Sequence, residues 1–176
     1  MNTTNTDQIH VKSSEDENTE ETLHAIYKNA LEDPSLISTL DINKLLDDLE
    51  CDKTSYLENK TLEMINKEVY DAVSEVVSDI GVREELCKRL IGYRYVSNIC
   101  DLHTNKHVKT ISLKNPNTTT QKLAGTVVNV KFTDKGAKIG VIIQREIFLS
   151  YMFHNYLTFQ KLSDIEQMIL MAYSHI

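Results

Sequence analysis

The chain has 176 residues, 41% of them hydrophobic, and a formal net charge of −7. That is enough apolar side chain for a sizeable core, yet no uninterrupted apolar run approaches the ~20 residues that cross a bilayer. Three cysteines (Cys51, Cys87, Cys100) are too few for a disulfide framework, and the polar, acidic start is unlike a secretory signal, so an intracellular protein without a membrane segment is expected.

Charge is unevenly spread. Residues 1–80 hold 6 Lys+Arg against 19 Asp+Glu, whereas residues 81–176 hold 13 against 7. Such asymmetry raises nucleic acid as a partner for the basic half and basic partners or self-masking for the acidic half; Glu-rich helices and Lys-rich sheets with solvated faces would produce the same numbers.

In chain order, residues 1–20 are Asn, Thr, Ser, Asp and Glu with hardly any apolar side chain, the composition of a disordered tail. Residues 21–91 read as a helical region. Leu23, Ile26, Tyr27 and Ala30 recur at helical spacing, and after Pro34 two phases follow, Leu36, Ile37 and Leu40, then Ile42, Leu45, Leu46 and Leu49. Ser55-x-x-Glu58 has the form of a capping box opening the longest stripe, Leu62, Ile65, Val69, Val73, Val76 and Ile80, which Gly81 is expected to stop. Val82–Ile91 reads as a further helix ended by Gly92.

Residues 92–162 read as a small basic antiparallel β-barrel. Tyr93–Val96 is extended, Ser97–Leu102 is one helical turn, Lys106–Leu113 is a strand, and residues 114–121 form a loop. Gly125–Phe132 alternates and predicts Val128, Val130 and Phe132 on one buried face. The polar turn Thr133–Gly136 leads to Ile139, Val141 and Ile143, then Ile147–Phe153 and Tyr156–Phe159, a four-strand meander whose edges call for closure or for cover by a helix. Residues 163–176 start with the capping box Ser163-x-x-Glu166 and form a closing helix, with Ile165, Ile169, Ala172 and Tyr173 on one side. The fold class expected is therefore α+β: acidic helices, a small antiparallel SH3-like barrel and a C-terminal capping helix.

The candidate chemistry is binding, not catalysis. The chain has no Gly-x-x-x-x-Gly-Lys loop, Gly-x-Ser-x-Gly elbow or His-Glu-x-x-His, so it reads as non-enzymatic with no cofactor. Cys87, Cys100, His103 and His107 have the one metal-like spacing, but the paired-cysteine knuckle of a zinc site is missing and no metal is expected. Residues 92–162 carry ten Lys+Arg against three acids. Lys131, Lys135, Lys138, Arg145, Lys109 and Arg94 are the candidate phosphate contacts, with Tyr151 among the aromatics able to stack on bases. Lysines guarding exposed edges and tyrosines filling a core account for the same residues.

Arg89–Val96, Lys106–Leu113 and Leu157–Gln167 are similar to uncharacterised proteins of large nucleocytoplasmic DNA viruses, over roughly the last 90 residues. The expected barrel resembles SH3-like and Tudor-like folds, which implies protein or nucleic-acid binding and supplies no catalytic residue. The resulting expectation is a viral accessory or structural protein acting through protein contacts, alternatively a nucleic-acid-binding accessory protein, at work in host cytoplasm, viral factory or virion. Oligomeric state is left open.

Overall fold

The computed structural model describes residues 55–117, 123–144 and 146–174; the tail and helices expected over residues 1–54 lie outside the described residues. Within them the protein is α+β. Helices α1 (Leu62–Val76), α2 (Ile80–Arg89) and α3 (Asp164–Tyr173) accompany strands β1 (Tyr93–Val96), β2 (His107–Ser112), β3 (Leu123–Thr133), β4 (Gly136–Ile143), β5 (Ile147–Met152) and β6 (Tyr156–Lys161).

The α1 stripe buries Ile65, Val69, Ala72 and Val73 as its spacing predicts, but its ends differ from expectation. Ser55 and Glu58 do not open it: Ser55–Leu57 is a 3₁₀ turn, Asn59 sits at φ 56°, and Thr61 is the N-cap, accepting from the Met64 N–H. A left-handed residue between Ser55 and the helix breaks the reach a capping box needs. Nor does Gly81 stop α1. The helix ends at Val76, and Gly81 lies in the first turn of α2, where the Asp79 carboxylate accepts from Val82 N–H at 2.9 Å. That cap satisfies an orphan donor, so the chain restarts a helix at the glycine.

All strand pairs are antiparallel, in the order β1-β6-β2-β3-β4-β5. The β3–β4–β5 meander follows the sequence pattern. β6 does not continue it: a 3₁₀ turn at Phe153–Asn155 redirects the chain, and β6 inserts between β1 and β2. The sheet curls strongly, since Val96 on β1 and Tyr151 on β5 share one core with Val108, Leu123, Val127, Ile139 and Val141. The two edge strands do not pair among the described residues, so the sheet is open and the expected closed barrel is replaced by a curled sheet. At Gly125 a side chain would meet the Ile142 carbonyl oxygen at 2.6 Å; the curl brings β4 backbone where only hydrogen fits.

The strand β3 buries Val127 rather than the Val128, Val130 and Phe132 set. A register shift between Val127 and Asn129 inserts one extra residue, so the phase changes along the strand. Val130 reaches the concave core, Val128 does not, and Phe132 lies beyond its end, 74% exposed.

On the convex face α1 and α2 cover β1, β6 and β2 through Val69, Val73, Val77, Leu86, Leu90, Tyr93, Ile111, Leu157 and Phe159. The helical part and the sheet thus share a core. Helix α3 has the expected capping box and packs on Leu57, Ile65 and Leu162, beside α1.

Candidate interaction surface

Partners in a β-ladder share a face. Because Val130 opposite Ile139 belongs to the concave core, Lys131 opposite Lys138 stands on the convex face, next to Met152 across β5. Both lysines and Lys135 are exposed. Lys135 and Lys138 line an open hollow of about 540 Å³ with Thr133, Asp134, Ser150, Tyr151 and Met152. Three of the residues chosen from the sequence therefore meet at the β3–β4 hairpin. Arg145 lies outside the described residues.

Of the others, Tyr151 borders that hollow, whereas Lys109 and Arg94 lie elsewhere. Tyr151 is buried, its hydroxyl 3.2 Å from Thr158 Oγ1 and its ring edge-on to Tyr156, and burial pushes its pKa up to about 12. A ring held this way does not stack on a base. Lys109 donates to the Arg89 carbonyl at 2.5 Å and lies 4.3 Å over the Tyr93 ring; burial, then the charges of Arg89 and Lys161, lower its pKa.

Arg94 is 3% exposed. Its guanidinium stacks 3.7 Å over Tyr56 and donates to Gln160 Oε1 at 3.1 Å and to the Asp101 carbonyl. Gln160 in turn bonds both His103 backbone groups. Beside it Glu166, also buried, accepts from Tyr56, Lys106 and the Ser163 N–H. Burial alone would raise the Glu166 carboxyl, but Lys106 and these donors outweigh it and hold the pKa below the carboxylate range. Burial, then the Glu166 charge, pushes the Tyr56 hydroxyl far up. This polar cluster fastens the 3₁₀ turn, β1, β6 and α3 together, and Arg94 is a structural residue rather than a phosphate contact.

The metal-like quartet is dispersed. Cys87 packs on α2 against the convex core, Cys100 is exposed, His103 stands 5.7 Å from the Tyr56 ring, and His107 Nδ1 is 3.2 Å from the Tyr93 hydroxyl. Among the described residues no group of three or more His, Cys, Asp or Glu could hold a metal ion. Among them, too, no helix is long and apolar enough to cross a membrane.

The sequence reading missed a run of exposed apolar side chains among the described residues, at the β5 edge. β1, one edge of the sheet, is short and lies under α1, with Tyr93 in the core they share. β5, the other edge, has four consecutive exposed residues, Ile147 (50%), Phe148 (57%), Leu149 (40%) and Ser150. The Phe148 ring lies above Gly140, where an added side chain would meet its Cζ at 2.9 Å. The signal was present in the run Ile147-Phe148-Leu149: a strand with one buried face alternates, and this one does not.

No protein-family model, curated protein or solved structure matches the chain.

Proposed function

We propose that this protein is a non-enzymatic interaction module whose contact surface is the β5 edge. The observation that carries the reading is an edge strand that is apolar, uncharged and exposed on both faces over residues 147–150, whereas the opposite edge strand, β1, is short and packs under α1. An uncovered edge offers a row of backbone donors and acceptors, and soluble proteins ordinarily blunt such edges with charge, proline or a covering element. Adding a strand there gives main-chain hydrogen bonds, while Ile147, Phe148 and Leu149 supply apolar contact. The viral setting rests on the sequence resemblance, as does the likeness to SH3-like and Tudor-like binding folds.

Amide hydrogen exchange tests this. Binding of a protein partner should be stoichiometric, tolerate salt, and slow exchange at residues 147–152. Protection confined to other elements would overturn the reading.

A second reading has its own observation, the cross-strand Lys131–Lys138 pair with Lys135 at one hairpin and the exposed Phe132 ring between them in sequence. The three lysines suit contact with a phosphate backbone, and Phe132, on the other face of β3, is a separate exposed ring. The signature of this reading is affinity for oligonucleotides that falls with salt, with a log–log slope of roughly −0.7 to −0.9 per phosphate contacted. Absence of oligonucleotide binding at low salt would leave the edge-strand reading alone.

A further inference from the structure

We infer that the occupant of the β5 edge is a second copy of this chain, paired antiparallel across a two-fold axis; this rests on the reading of β5 as the contact surface. The argument is one of self-complementarity. Ile147–Met152 carries no charge, so two copies can approach despite a net charge of −7 per chain. Charges flank the strand: exposed Glu146, preceded in sequence by Arg145, comes before it, while Lys138 lies opposite Met152 at its far end, with Lys135 and Asp134 in the same hollow. An antiparallel copy brings the Glu146 of each strand toward the Lys138 of the other. A parallel copy would bring Glu146 beside Glu146.

The faces fix the register. A two-fold axis normal to the sheet keeps both convex faces on one side, which requires residues of equal phase to oppose each other. Centring the axis on Leu149 sets Leu149 against Leu149 and Ile147 against Tyr151 on the concave side. On the convex side Phe148 falls opposite Ser150, a large side chain beside a small one, and Glu146 falls opposite the partner's Met152. Lys138 is then the next residue across, two strand spacings or about 10 Å from Glu146 between backbones, within the combined reach of the two side chains. Such an isologous contact closes on itself and leaves no strand free to propagate, which removes the aggregation hazard of the open edge. A six-residue strand covers less than the ~800 Å² per partner of a standard interface, so the dimer should be reversible and concentration-dependent.

Analytical ultracentrifugation of the full chain over a wide concentration range is the test. The mass should rise from 20.2 kDa toward twice that value. Leu149→Lys places like charges at the axis and should weaken association by roughly tenfold or more; since Leu149 is 40% exposed, its unfolding midpoint should stay near that of the wild type. Glu146→Lys and Lys138→Glu should each weaken the dimer, and the double reversal should restore it. A chain monomeric at every concentration, an L149K variant that still dimerises, or a double reversal no better than the single ones would each overturn the inference. If the wild type is monomeric but a heterologous partner protects residues 147–152 from exchange, self-pairing falls and the interaction reading stands; if neither occurs, both fall.

Discussion

Glu166 is charged and 2% exposed, and it stays ionised because Lys106, Tyr56 and the Ser163 N–H surround it. Its folded pKa is depressed, so its stabilisation is complete above the ordinary carboxylate value of about 4.3 and is lost as pH falls below it. Lys106→Met removes the main opposing charge and leaves burial dominant. The carboxyl is then raised, and the variant should lose stability as pH rises through the ordinary carboxylate value, the reverse of the wild type. Near neutrality the cost should be about 3 kcal/mol, and urea unfolding between about pH 3 and 7 checks both sign and size. Gly125→Ala should cost about 1–3 kcal/mol in the same assay, because the atom it would meet is the Ile142 backbone oxygen, which cannot rotate away. The structural roles of such residues were not legible in the sequence. Arg94 read as a phosphate contact and Glu166 as the far member of a capping box, since nothing local signals that Tyr56 and Gln160 will be brought to them.

Elements were far more legible than single residues. Strand positions, the helical turn at Ile99–Asp101 and the Ser163 capping box all emerged from period and turn chemistry, which act over a few residues. Helix starts were harder, because two capping-like signals stand close together near α1. Thr61→Ala should cost about 1 kcal/mol by thermal or urea unfolding, since the Thr61 side chain is the one at the helix N-cap. At the β3–β4 hairpin, replacing Lys131, Lys135 and Lys138 together by Gln should leave stability nearly unchanged, because all three are exposed. Any oligonucleotide affinity should lose its salt dependence by two to three contacts' worth, about 0.7–0.9 in slope for each.

At the level of the whole molecule, strand order was not legible, because pairing between distant segments leaves no periodic trace in either. Helices and sheet on the two sides of residue 92 form one core, in which Val69, Val73 and Leu86 pack with Phe159 and Leu157. Residues 92–176 alone should therefore fail to fold, which circular dichroism and near-ultraviolet spectra of that fragment would reveal. Removal of the acidic segment must stop before Tyr56, whose ring carries Arg94; cutting at residue 54 leaves every described core residue in place.

The insertion of β6 between β1 and β2 also sets a timetable. While the chain is being synthesised, β1 has no neighbour and β2 has only β3 until residues 156–161 have left the ribosome, seconds after β1 did at about 5–20 residues per second. During that interval the two strands are an open slot whose proper occupant does not yet exist. Pairings this distant in sequence also slow folding of the finished chain. The nascent protein thus passes through a stage with the strand position beside β1 vacant, and holding that slot clear is the kind of task that falls to a chaperone.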